Sequence, residues 1–302
     1  VSLKSVLFLG TSDFTLPVFQ VLQKHCQILG ICTKKRSYFT TLPFRIFTPD
    51  HPKDPEFIAK IKVLKPDLCV TASYGFILPQ AFLDIPSLGT LNVHPSLLPQ
   101  YRGPSPVQRS IEKGEVISGV SIVHTVLSID AGPLLKQKTF PILPHENSLD
   151  ILNKGFILGA EELDKLLPSF LEGKSIESSI QDPALATKAP KILKEEGILN
   201  FELSALELHN KVRAFYGWPG TFGNFILNEK DQLIKIIETI PPSFEHHSLR
   251  KDSVFFDPKY GLGIPCGKEE VLFVRQLHYP GKRPVLAKDF WNGLRGQNLK
   301  VK

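Results

Sequence analysis

Val6-Leu7-Phe8-Leu9-Gly10-Thr11-Ser12-Asp13-Phe14 is an apolar run that stops at a glycine and is followed by Ser12 and Asp13, two residues suited to cap a helix. Phe14, Val18, Val21 and Leu22 then recur at helical spacing. The stretch therefore reads as strand, turn and helix. Ile28–Cys32 reads as a second strand. An irregular, basic and proline-containing stretch, 33–55, leads to a helix over Glu56–Leu64 and to strands Leu68–Ala72 and Thr90–Val93. Short apolar strands separated by helices predict an α/β fold built on a Rossmann-like parallel sheet. Val120–Val126 and Leu134–Ile142 add two strands, and Leu149–Leu171 a long Leu-rich helix.

The pattern breaks from Glu172. Gly173–Glu196 is rich in Ser, Lys, Pro and Ala without periodicity, which is how a linker reads. After a helix over Leu203–Ala214, short β-type runs at Phe222–Leu227, Leu233–Thr239, Ser253–Phe256 and Val271–Leu277 predict a small β-barrel. The expected division is 1–172 for the α/β domain, 173–200 for the linker and 201–302 for the barrel.

With 42% apolar and 22% charged residues in a chain of 302, there is enough apolar surface for two cores, and general disorder is excluded. No apolar stretch approaches the ~20 residues of a membrane-spanning helix, and the start lacks a signal-peptide pattern, so a soluble chain with no membrane partner is expected. The chain contains no methionine. Its absence at position 1 points to a numbering that omits residues of the full protein. Cys26, Cys32, Cys69 and Cys266 lie far apart with no CxxC pair, so neither a metal site nor a disulfide framework is expected. The net charge is +6, and residues 201–302 hold 15 Lys and Arg against 11 Asp and Glu. That surplus suits weak phosphate contacts and equally suits a solvated lysine-rich surface.

The densest polar stretch is Asn92-Val93-His94-Pro95-Ser96-Leu97-Leu98-Pro99-Gln100-Tyr101-Arg102-Gly103-Pro104, directly after a predicted strand. Two residues apart on an extended segment, Asn92 and His94 share a face. An amide donor beside an imidazole suits acyl transfer, since the amide can bond a developing oxyanion and the imidazole can handle a proton. Asp130, before Gly132, is placed to orient the imidazole. A histidine at a strand end is as readily structural, and Asp130 as readily opens a turn; spacing does not decide. Neither the dinucleotide fingerprint nor the P-loop pattern occurs, which removes the usual signs of NAD and nucleoside-triphosphate binding.

On these residues the chain resembles the folate-dependent formyltransferases. The family's Gly-Thr-x-x-Phe turn matches Gly10–Phe14, with Ser12 where proline is usual. Its Tyr-Gly-x-x-Leu-Pro matches Tyr74–Pro79, and its Asn-x-His-x-Ser-Leu-Leu-Pro-x-x-Arg-Gly-x-x-Pro-x-Gln falls on Asn92–Gln108 without a gap. Its Asp-x-Gly falls on Asp130 and Gly132. Within the family, the tRNA-formylating branch is matched by Arg102–Gln108, by Ala186–Ile192, and by His209–Phe215 followed by Trp218-Pro219-Gly220. The branch carries a basic, Gly-containing loop after its second strand, then a Pro-started helix. Here only Lys34-Lys35-Arg36 remains of the basic part, and no such helix is found before Phe44.

The resemblance implies a catalytic domain over 1–172, a C-terminal barrel resembling an OB-fold, and a cytoplasmic or organelle-matrix enzyme, a monomer, that moves a formyl group from 10-formyltetrahydrofolate to the amino group of initiator methionyl-tRNA. It implies Asn92, His94 and Asp130 as catalytic residues, with no metal. It implies Ser96, Leu97, Leu98, Pro99, Tyr74, Gly75, Ile77 and Leu78 around the folate, and Lys34, Lys35 and Arg36 on the tRNA. All the folate motifs precede Gly173, so a chain ending there is expected to bind folate. A sugar-nucleotide N-formyltransferase would share the catalytic residues, and a non-enzymatic nucleic-acid-binding protein is the alternative of another class.

Overall fold

The computed structural model describes residues 3–243, 253–279 and 281–302. The first sheet is built from β1 (Ser5–Gly10), β2 (Gln27–Cys32), β3 (Ile46–Phe47), β4 (Leu68–Ala72), β5 (Thr90–His94), β6 (Ile117–His124) and β7 (Leu134–Pro141). Interleaved with them are helices α1 (Leu16–His25), α2 (Pro55–Leu64), α3 (Gln80–Leu83) and α4 (Pro106–Glu112), and α5 (Ser148–Leu171) follows. The strand order is β3-β2-β1-β4-β5-β6-β7. Alternation along β1 explains its central place: Val6 and Phe8 share a core with Val18 and Phe19 of α1 and Leu163 of α5, while Leu7 and Leu9 share another with Phe57 and Ile61 of α2. Each such fully buried side chain contributes roughly 1.5–3 kcal/mol of transfer free energy.

The expected α/β fold on a Rossmann-like, mainly parallel sheet is present, with its last two strands reversed. Strands β3, β2, β1, β4 and β5 pair in parallel, whereas β6 pairs antiparallel with β5 and β7 antiparallel with β6. No helix separates His124 from Leu134, so β7 returns antiparallel to β6, whereas β6 runs antiparallel to β5 although α4 lies between them. The missing helix after β2 is confirmed: between Cys32 and Ile46 the only helical segment is a 3₁₀ turn at Tyr38–Thr41.

The second sheet comprises β8 (Thr221–Leu227), β9 (Lys230–Thr239), β10 (Phe255–Asp257), β11 (Gly261–Pro265), β12 (Val271–His278), β13 (Val285–Leu286) and β14 (Leu299–Val301), with α6 (Ala205–Ala214) before it and α7 (Ala287–Leu294) between its last two strands. Its order is β10-β11-β12-β9-β8-β14 with β13 on β12, all antiparallel, curled into a half-barrel. Asn228 and Glu229, both at positive φ (50° and 62°), close the β8–β9 hairpin in the manner of a type I′ turn. Ser204 caps α6 reciprocally with Glu207, whose carboxylate takes the Ser204 N–H at 2.9 Å.

The chain divides into two compact units, one of residues 1–106, 117–141 and 152–190, the other of 107–116, 142–151 and 191–302. Residues 173–190 thus belong to the first unit and 191–200 to the second. Among the described residues no helix is long and apolar enough to cross a membrane.

Candidate active site

β5 places the first two residues. Leu91 and Val93 enter the core shared with α1 and α5, so Asn92 and His94 project from the other face. Thr71 on β4 is in register with Asn92, and its hydroxyl donates to Asn92 Oδ1 at 2.8 Å. That bond turns the Asn92 amide nitrogen toward Asp130, where Nδ2 donates to Oδ1 at 3.2 Å. One hydrogen on Nδ2 remains for another acceptor. His94 is 5% exposed, and its Nε2 lies 3.0 Å from the Tyr101 carbonyl oxygen. A carbonyl only accepts, so Nε2 carries the hydrogen and Nδ1 is the nitrogen facing Asp130 Oδ2, 3.6 Å away. That separation is longer than a hydrogen bond and leaves the pair within reach of a small closure.

Asp130 arrives from an unexpected direction. β6 runs antiparallel to β5 with His124 opposite Leu91, so the β6–β7 connection leaves the sheet at the amino end of β5. The connection then folds back to the side chains of Asn92 and His94 rather than continuing from the carboxyl ends of the strands. Asp130 holds this turn at φ 51°. Its Oδ2 accepts the Gly103 N–H at 2.9 Å. Gly103 has φ 124°, and a Cβ there would come within 2.7 Å of the Ala189 carbonyl oxygen, so glycine is required for that approach. At Gly132 a Cβ would meet the His124 carbonyl oxygen at 1.8 Å.

The Ser96–Pro99 loop is fixed from below. Ser121 donates to the Ser96 carbonyl at 2.6 Å and accepts the Leu98 N–H at 3.1 Å, and Gln137 donates to the Leu98 carbonyl at 2.7 Å. Of the eight residues expected around folate, Ser96, Leu98, Tyr74 and Leu78 are buried, Gly75 and Ile77 are exposed, and Leu97 and Pro99 lie between. Tyr74 Oη is buried with no hydrogen-bond partner among the described residues, and burial pushes its phenol up. Apolar side chains exposed here are Ile77 on the loop after β4 and Val126, Leu127 and Ile129 on the connection carrying Asp130.

The basic trio divides. Lys34 Nζ sits 5.3 Å from the Phe76 ring centroid, beside Gly75, and so lies on the loop assigned to folate. Lys35 pairs with Asp50 at 2.8 Å, and Arg36 is exposed. Sequence reasoning missed Thr71, the Tyr101 carbonyl and the Gly103 N–H.

Residues 12–164 match the formyl transferase family, and residues 191–295 match the formyl transferase C-terminal domain. A methionyl-tRNA formyltransferase of Acetivibrio thermocellus is 31% identical over 301 residues, 94% of this chain and 95% of its own length. One of Dehalococcoides mccartyi is 33% identical over 319 residues, 98% of each. Among solved structures, HypX from Aquifex aeolicus with tetrahydrofolic acid matches at TM-score 0.64 and 17% identity, over 98% of this chain and 48% of that one. WlaRD, a sugar 3N-formyl transferase, matches at 0.67 and 18%, over 93% and 100%. These structures share the fold. Spanning both matched regions and nearly the full length of such relatives, the chain belongs to the formyl transferase family.

Proposed function

We propose that this chain transfers a formyl group from 10-formyltetrahydrofolate to the amino group of methionine carried on initiator tRNA. The observation that carries the reading is the convergence of Asn92, His94 and Asp130, in a chain whose relatives of that name match it from end to end. The folate supplies an N-formyl carbon open to an amine. Asn92 uses its remaining amide hydrogen on the formyl oxygen as that oxygen gains charge. His94, with Nε2 committed to Tyr101, takes the attacking amine's proton at Nδ1 and returns it to the folate nitrogen as the bond from that nitrogen to the formyl carbon breaks. Asp130 holds the Asn92 amide and faces that same nitrogen, keeping both groups aimed at one place.

Residues 1–172 carry the reacting groups in this reading. The half-barrel of 201–302, with its surplus of cations, contacts tRNA phosphates without reading sequence. The Ser96–Pro99 and Tyr74–Leu78 loops border the folate. The test is formyl transfer by the purified chain from 10-formyltetrahydrofolate to methionyl-tRNA, in parallel with an amino-sugar nucleotide. Transfer to the amino sugar alone overturns the proposal in favour of a sugar-nucleotide enzyme.

A further inference from the structure

Residues 179–189 read as linker, yet they grip two turns of the site at once. Ser179 and Leu134 exchange backbone hydrogen bonds at 2.8 and 2.9 Å, anchoring the segment where β7 begins. Two residues on, Gln181 is 5% exposed. Its Nε2 donates to the carbonyl oxygens of Asp130 (2.8 Å) and Gly132 (2.7 Å), and its Oε1 accepts from Arg102 Nε (3.1 Å) and Nη2 (2.7 Å). All four hydrogen-bonding positions of the amide are used. Farther along, Thr187 Oγ1 accepts the Tyr101 N–H at 2.8 Å, the Arg102 N–H goes to the Thr187 carbonyl at 2.9 Å, and the Ala189 N–H goes to the Arg102 carbonyl at 2.7 Å. Tyr101 is the residue whose carbonyl holds His94.

We propose that 179–189 is a positioning strap for the formyl-transfer site, and that Gln181 is the positioning residue of Asp130; this rests on the function proposed above. The Asp130 backbone lies in the left-handed region, which aspartate enters more readily than most residues but less readily than glycine, so hydrogen bonds to its backbone help to hold it there. Val126, Leu127 and Ile129, on the approach to Asp130, are exposed and supply little packing. Gln181 therefore fixes the backbone of the turn from beneath, while the Gly103 N–H and Asn92 fix its carboxylate. The chemistry demands an amide at 181. Arg102 can only donate, so it must face Oε1, which leaves Nε2 for the two carbonyls. A glutamate would keep Arg102 and set a carboxylate oxygen against those carbonyls; a methionine would leave all of these groups unpaired.

The test uses the full-length chain with Gln181→Met, Gln181→Glu, Asp130→Ala and the double variant Gln181→Met/Asp130→Ala, followed by single-turnover formyl transfer, steady-state KM and amide hydrogen exchange. Both single variants at 181 are expected to lower kcat by about tenfold or more with KM for folate and tRNA little changed, because Gln181 acts through Asp130 and not on a substrate. Exchange over residues 126–133 should accelerate in both. On the Asp130→Ala background, Gln181→Met should cost almost nothing further, whereas a general loss of fold would cost as much there as in the parent. Equal losses in the two backgrounds overturn the proposal, as does unchanged exchange over 126–133. If the parent chain transfers no formyl group, the functional reading fails, and the exchange measurement alone decides whether Gln181 holds the turn.

Discussion

Replacing His209 by Gln should make the C-terminal unit less sensitive to acid. His209 is 3% exposed in the middle of α6. Its Nε2 donates to the Pro144 carbonyl at 2.9 Å and its Nδ1 accepts from the Thr239 hydroxyl at 2.7 Å. Burial, with a smaller contribution from the nearby Arg213 cation, holds the imidazole down to about 4 from its ordinary 6.5; the Pro144 bond works the other way. Above pH 6.5 neither the folded nor the unfolded chain carries this proton, and His209 gives stability no pH dependence. As pH falls from 6.5 toward 4 the unfolded chain binds a proton that the folded chain refuses, so stability is lost across that window. The whole gap is worth about 3 kcal/mol, of which about 2 kcal/mol is lost between pH 7 and pH 5. Both tryptophans, Trp218 and Trp291, lie in the second unit, so urea unfolding followed by their fluorescence reports on that unit. The glutamine can still donate to Pro144 and does not titrate. Asp67, Asp164, Glu196 and Glu207, carboxylates held low mainly by hydrogen bonds, contribute alike to parent and variant and cancel in the comparison. The parent should lose about 2 kcal/mol more than the variant between pH 7 and pH 5. Equal losses in the two proteins would refute the account of a histidine buried neutral.

Alanine at Asn92, His94 or Asp130 should each lower turnover by about 10²–10³ with little change in melting temperature, and the double variants should cost less than the product of the singles; near-normal rates in all three would remove them from the reaction. Thr71→Val removes the donor that orients the Asn92 amide and should lower kcat about tenfold, with Thr71→Ser restoring it; equal kcat for valine and parent would show that the amide keeps its orientation unaided. Because Lys34 lies over Phe76, Lys34→Ala should raise KM for folate more than it weakens tRNA binding, and the reverse order would return Lys34 to the tRNA. Changing Lys211 and Lys235 to Gln should flatten the fall of tRNA affinity with salt by about one unit of slope for each phosphate no longer neutralised, while an unchanged slope would assign those lysines no phosphate.

Most of the architecture was legible in the sequence because the apolar periods are strong. β4 is Leu68–Ala72 as read, and the long helix differs from its expected start by one residue. The direction of β6 and β7 was not, since alternation reports which face is buried and says nothing of the neighbour's direction. Asn92, His94 and Asp130 could be named as candidates from residue types and from a resemblance, but not their wiring. Asn92 bonds Asp130 because Thr71, twenty-one residues earlier, happens to be in register with it. Residues 179–189 failed for a different reason: hydrogen bonding through backbone and amide groups leaves no hydrophobic period. Their Ser, Ala and Pro content therefore looked like slack chain. A chain ending near Gly173, expected to keep the folate site whole, would lack Gln181 and Thr187 and with them the grip on both turns.

The order in which the units draw on the chain bears on how the protein is made. Between its ends the polypeptide passes from one unit to the other five times, and the first unit is complete only at residue 190. A ribosome that has synthesised the chain as far as residue 172 has already made Asn92, His94 and Asp130, but not residues 179–189. The nascent enzyme should therefore acquire its active geometry late and abruptly, as residues 179–189 emerge, instead of gradually as the sheet grows. Pauses in translation before that point would expose an assembled sheet with an unset active site.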